Sequence, residues 1–358
     1  MASGTQAWIP RFRPRDPGPI DGSKELEQIQ KNFALFDNER CNFCLFLRFI
    51  LSLCSKNSFQ TLQSHIRKST KLNIHVSVTN EGMTAKYEAN GRKGRFMNVW
   101  SINHCCSTLF ERAKFGYNRV SIYYNRSREV WNTYWDCEVD GMKVVMDHIT
   151  SLYRRDMHSV EIFKFAYNFE ALILDWIDSR QNSLSYLYYP FRFSQNPRKI
   201  LNWKTVDHLE TELHIPTDLP VYNHEFGARK SVCFKYSSWI TVRHLMKMDQ
   251  VEIILGDSKF ESTGVRKFLE NWMLEGGSPN LRLLLIATRL IINLEEVLRG
   301  FRKFMVEGVA VREYTSLRET GHHYSITRGQ ELIRPDGATV VIQWDGKLTM
   351  FFYPPRSD

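Results

Sequence analysis

Seven cysteines are the first residues whose type and spacing could do chemistry. Cys41 and Cys44 form a C-x-x-C pair, a spacing that can grip a tetrahedral zinc, with Cys54, His104, Cys105 and Cys106 as further candidate ligands. A structural zinc of this kind usually takes two such pairs, and the chain has one. Cys44 lies inside the apolar run FCLFLRFILSLC (Phe43–Cys54), where a thiol packs as a small hydrophobe, so core thiols are the better reading. His322 and His323 follow Gly321 with no carboxylate or thiol at helical spacing; they read as solvated loop histidines rather than general bases. Asp136, Glu138 and Asp140 alternate, but no Gly-bearing loop with a terminal Glu follows. They fit the acidic first turn of a helix better than a cation site. GRKGR (Gly91–Arg95) and RFRPR (Arg11–Arg15) could meet phosphates and otherwise read as a solvated turn and a tail. Nucleophile-elbow, Walker-type and dinucleotide-binding patterns are missing. The expectation is a protein with no catalytic, cofactor-binding or metal-ligating set, hence no cofactor and no intrinsic catalysis.

The bulk of the chain agrees with a binding role. Its 358 residues are 43% hydrophobic and 13% aromatic, enough for a sizeable core. Residues 1–130 hold 20 Lys and Arg against 10 Asp and Glu, so the excess positive charge lies in the first third. An odd number of cysteines without framework spacing suits a reducing compartment, cytoplasmic or nuclear. The opening MASGTQAWIPRFRPRDPGPIDGSK has no apolar h-region, and Phe43–Cys54 is short and broken by Arg48, so neither a signal peptide nor a membrane span is expected.

Residues 1–40 read as a disordered basic segment, and Ser23–Ser58 carries a helical pattern. KLNIHVSV (Lys71–Val78) alternates like a strand, a Gly-rich turn between Tyr87 and Phe96 suggests a hairpin, and NRVSIYY suggests a strand near 119–124. VEI recurs at 160–162 and 251–253. Each copy precedes a helical stripe: Phe169, Leu172, Ile173, Trp176, Ile177 in one, Val265, Phe268, Leu269, Trp272, Met273 in the other. Trp176 and Trp272 read as core anchors. A third stripe is Met142, Val145, Met146, Ile149. Strand-like NSLSYLYY (182–189) and PNLRLLLI (279–286) follow the first two stripes. Strands alternating with helices imply parallel pairing. The fold class expected is therefore α/β: irregular leucine-rich-repeat-like strand–helix repeats, without strict L-x-x-L-x-L spacing. Asp336-Gly337 and Asp345-Gly346 punctuate the last three apolar runs, predicting strands near 331–334, 338–344 and 347–353. That C-terminal β meander would cap the repeats.

An ordered series of segments carries a family likeness. It runs TYWDCEVDGMKVVMDHITSLYRRDMHSVEI, SSWITVRHLMKMDQVEIILGDSKF, GVRKFLENWM, NLRLLLI and ITRGQELIRPDGATVVIQW. From Thr133 to Tyr353 the chain resembles the F-box-associated domain of nematode F-box proteins. The resemblance implies an F-box upstream, a short helical module that docks on the Skp adaptor of a cullin–RING ubiquitin ligase. LSLCSK (Leu51–Lys56) is similar to the second half of that module. Leu51, Leu53, Cys54 and Ser55 are the adaptor-binding residues it implies. The module's opening Leu-Pro step is absent from FALFDNERCNFCLFLRFI (33–50), so the F-box-like segment is degenerate. The implied organisation is 1–40 basic segment, 41–80 degenerate F-box-like segment, 81–130 β-rich connection and 131–358 F-box-associated domain. The implied function is a protein-interaction module that recruits a protein target to the ligase through Skp adaptor and cullin. The alternatives are a nucleic-acid-associated protein using the basic first third, and a family member that no longer joins a ligase.

Overall fold

Strand-forming and helix-forming stretches take turns over residues 138–298, strands follow strands on either side, and hydrogen bonding joins them into one sheet. The computed structural model describes residues 48–49, 51–53, 56–66, 72–79, 82–89, 92–104, 111–115, 117–125, 127–128, 130–163, 169–192, 194, 197–201, 203, 206–215, 226, 229–318 and 321–355. Among them are sixteen strands. These are β1 (Leu72–Thr79), β2 (Gly82–Ala89), β3 (Arg92–Ser101), β4 (Glu111–Phe115), β5 (Asn118–Asn125), β6 (Val130–Trp135), β7 (Met157–Ile162) and β8 (Leu184–Tyr189). They continue as β9 (Val206–Thr211), β10 (Ser231–Phe234), β11 (Glu252–Ser258), β12 (Leu283–Thr288), β13 (Ala310–Thr315), β14 (His323–Ile333), β15 (Thr339–Trp344) and β16 (Leu348–Tyr353). The helices are α1 (Lys56–His65), α2 (Glu138–Tyr153), α3 (Phe169–Arg180), α4 (Pro197–Leu201), α5 (Val242–Lys247), α6 (Ser262–Glu270) and α7 (Leu294–Leu298).

The fold is mixed α/β. Across the sheet the order is β13-β14-β15-β16-β12-β11-β10-β9-β8-β7-β1-β2-β3-β6-β5-β4. Strands β7 to β12 lie side by side in chain order and run parallel, with β1 parallel on the outer side of β7. Helices lie in the crossovers β7–β8, β8–β9, β10–β11 and β11–β12, as strand–helix alternation demands. Beyond β1 and beyond β12 the pairings are antiparallel apart from β3 with β6.

Alternation along the strands makes two faces. On one, Ile74, Val76, Val160, Leu187, Leu209, Val232, Phe234, Ile253, Leu255 and Ile286 join the helices in the main core. The stripes Met142, Val145, Met146, Ile149 and Val265, Phe268, Leu269, Trp272, Met273 are buried there as predicted. The stripe on α3 differs. Leu172 is 49% exposed, while Leu174 is buried beside Ile173 and Ile177, and Trp176 is half-buried. FEALILDWI is apolar almost throughout, so spacing alone could not choose the face that docks.

The second face carries a smaller apolar cluster of Cys233, Ile254, Leu283, Leu285, Ala310, Ile326, Val341 and Phe351. The hairpin β13–β14 covers it. Strand β14 pairs with β13 up to Gly329 and then with β15 from Gln330. A Cβ on Gly329 would sit 2.4 Å from Val341 Cγ1 and 2.6 Å from Ile326 Cγ2, so this crossing requires glycine. The meander β14–β15–β16 is present, with Gly337 and Gly346 at φ +86° and +89° in its turns. It lies against β12 through β16, with Leu283 opposite Phe351 and Ile286 opposite Leu348. The helix expected over Ser23–Ser58 falls mostly outside the described residues, as does all of the 1–40 segment with RFRPR.

Candidate functional site

The sheet face opposite the helices is where polar side chains gather. Strand register puts them in rows. His75, Ser159, Tyr186, His208, Ser231 and Glu252 follow one another across β1, β7, β8, β9, β10 and β11. The neighbouring row is Ser77, Glu161, Tyr188, Glu210 and Cys233. Successive residues of a strand face opposite ways, so the apolar residues between these positions serve the core.

The rows divide at β9–β11, where the connection between β13 and β14 folds onto the sheet. Glu252 is 0% exposed and receives three hydrogen bonds: from Tyr314 Oη at 2.9 Å, Ser316 Oγ at 2.9 Å and the Leu317 amide at 2.5 Å. A buried carboxylate needs such donors to replace its water. Arg318, 7% exposed, reaches Glu210 Oε2 at 3.2 Å and donates to Tyr324 Oη at 2.7 Å, while Tyr186 Oη donates to the same Glu210 oxygen at 2.9 Å. Burial, and then the Glu252 charge, raise the Tyr314 pKa above its ordinary value. Burial, followed by the charge of Glu210, pushes the Cys233 thiol up to about 12, so it stays protonated.

Toward β7 and β8 the face is less covered. Lys235 Nζ donates to Glu212 Oε1 at 2.5 Å and to Tyr188 Oη at 3.2 Å, and Tyr188 stacks edge-on with Phe163 at 5.5 Å. Burial works against the Lys235 charge, but hydrogen bonds to Glu212 and Tyr188 outweigh it and raise its pKa. The Arg192 guanidinium lies over Tyr236, 4.7 Å from the ring centre. Lys86 meets Glu161 at 3.1 Å. Two serine–histidine pairs also lie in the rows: His75 Nδ1 is 2.6 Å from Ser159 Oγ, and His208 Nδ1 is 2.9 Å from Ser231 Oγ. Both serines are buried, so no substrate carbonyl can approach their oxygens.

The residues singled out in the sequence do not converge here. Asp136, Glu138 and Asp140 flank and open α2, the acidic helix start anticipated, with Lys143 3.9 Å from Asp140. His322 and His323 are exposed; His323 begins β14 rather than lying in a loop, and its Nδ1 is 3.0 Å from Thr315 Oγ1. Trp272 is buried beneath Arg334, whose guanidinium is 4.9 Å from its ring centre. Arg92, Lys93 and Arg95 of GRKGR are exposed on β3. Cys41, Cys44, Cys54, Cys105 and Cys106 lie outside the described residues, as does the side chain of His104.

Of the adaptor-binding set, Cys54 and Ser55 also lie outside the described residues, while Leu51 and Leu53 are half-buried against the main core. Between them Ser52 Oγ donates to the Phe49 carbonyl at 2.6 Å and sits 2.7 Å from His148 Nε2. Phe49, fully buried, packs on Phe96 and His148, with ring centres 5.6 and 5.9 Å apart. Phe59 and Phe115 also surround that imidazole, and burial pushes its pKa down to about 4. Sequence reasoning missed the Glu252–Arg318 network, because Glu252 and Glu210 lie 60 residues or more before the 314–318 segment that meets them and no local spacing announces it.

Fold and face together define a mixed α/β protein with a polar, partly covered sheet surface. Residues 224–286, which span β10, α5, β11 and α6 into β12, match the family described as F-box associated. The match supports an F-box-associated domain over these residues, and the matched segment falls inside the Thr133–Tyr353 stretch on which the likeness was read. No curated protein and no solved structure matches the chain.

Proposed function

We propose that this chain is a target-recognising, non-catalytic subunit of an intracellular Skp–cullin–F-box ubiquitin ligase. The F-box-associated match over residues 224–286 is the observation that carries the reading. In this role the protein makes no bond itself; it holds a protein target near chemistry supplied by other subunits. The parallel strands β7 to β12 begin at residues 157, 184, 206, 231, 252 and 283, a spacing that favours a leucine-rich-repeat-like, irregular solenoid. Solenoids of this kind use an extended sheet face for binding, and the Tyr188–Lys235–Arg192 region supplies aromatic and charged contacts of the sort that anchor interfaces.

The adaptor contact is the less conventional part of the proposal. The likeness assigns it to Leu51, Leu53, Cys54 and Ser55, of which Leu51 and Leu53 are half-buried against the main core. Affinity purification of the full chain from cells, followed by mass spectrometry, tests the reading. Recovery of Skp adaptor and cullin supports it; a stable set of partners without either one refutes ligase membership.

A further inference from the structure

Strand β4 ends the sheet, and its two faces differ sharply. Ala113 and Phe115 turn toward the main core, where Phe115 lies 5.9 Å from Trp135 and 5.8 Å from His148. Arg112 and Lys114 alternate with them and are exposed, and Arg119 of β5 stands directly opposite Lys114. Among the described residues none of these three cations makes an ion pair. Their row continues inward through Ser121, Tyr134 and Trp100. On its outer side β4 has no strand partner among the described residues, so its backbone donors and acceptors face outward.

Charge decides what can pair with such an edge. A second copy of the same strand would bring like charges together, which cross-strand pairing disfavours. A strand whose side chains on that face are carboxylates would gain two or three opposite-charge neighbours as well as backbone hydrogen bonds. Residues two apart on a strand are separated by about 6.8 Å, so Arg112 and Lys114 are matched by acidic residues at every second position. We propose that the β4 edge accepts an extended acidic segment of a partner protein as an added strand, with Asp or Glu at alternate positions facing Arg112 and Lys114. This goes beyond the ligase reading and does not depend on it, because it concerns direct binding at a different part of the sheet.

Fluorescence anisotropy on the full chain tests it with four labelled probes. They are a peptide alternating Glu with Val, the same composition with its glutamates adjacent, the alternating peptide with Lys for Glu, and single-stranded oligouridylate. The alternating acidic peptide should bind, and the permuted one several-fold more weakly; that comparison needs no variant. The doubly substituted chain Arg112→Glu, Lys114→Glu should lose roughly tenfold or more in affinity for the acidic peptide and gain affinity for the lysine peptide. The gain also certifies that the variant is folded. No binding of the alternating peptide, equal binding of the permuted one, or an unchanged preference after charge reversal overturns the proposal. So does oligouridylate binding more tightly than the acidic peptide at physiological salt, which would make the edge a phosphodiester site.

Discussion

Deleting residues 329–358 should abolish the native monomer rather than detach a binding element. The truncation removes β15, β16 and the part of β14 that pairs with β15. Val340, Val341, Ile342, Leu348, Met350, Phe351 and Phe352 go with them, all buried. At about 1.5–3 kcal/mol for each buried apolar side chain, the loss is on the order of 10–20 kcal/mol. That matches or exceeds the roughly 5–15 kcal/mol by which domains are stable. Phe352 lies 5.2 Å from Trp272 and 6.4 Å from Phe268 between ring centres, so the apolar face of α6 and of the helical turn after it would be stripped. The edge of β12 would lose its antiparallel partner and become a template for pairing with other chains. Size-exclusion chromatography with thermal unfolding is the assay, and the expected product is aggregated or non-cooperative. A clean monomer peak with a sharp transition would refute the reasoning.

Two further outcomes follow from single side chains. Trp272→Ala, at a position 3% exposed and packed edge-on against Phe352, should cost about 3–5 kcal/mol in equilibrium urea unfolding; an unchanged midpoint would contradict its place in the core. Burial holds the His148 pKa at about 4, below its ordinary 6.5, so its contribution is intact above about pH 6.5 and is lost as pH falls toward 4. Up to about 3 kcal/mol should disappear across that window, and His148→Gln should flatten the decline; equal slopes in both proteins would rule out this origin.

Periodicity and turn chemistry made much of the fold legible. The buried faces of α2 and α6 and the hairpin turns at Gly337 and Gly346 depend on neighbours three or four residues away, or on a single φ angle. The strand of KLNIHVSV and the run of parallel strands were readable for the same reason. Helix α3 was less so, since Leu172 and Leu174 are both apolar and only docking against the sheet selected Leu174.

The sequence by itself determined which segments become strands or helices and which side of most strands is apolar, because alternation and helical spacing are local. Tertiary structure alone decided the second face. VEIIL does not announce that Glu252 will be fully buried; three donors from residues 314–317 make that burial tolerable. Nor does any local pattern join Arg318 to Glu210, Ser52 to His148, or put Arg112 and Lys114 on the last strand of the sheet among the described residues. These features depend on strand order and register, where a carboxylate exchanges water for donors brought from distant parts of the chain, and desolvation has no sequence spacing of its own.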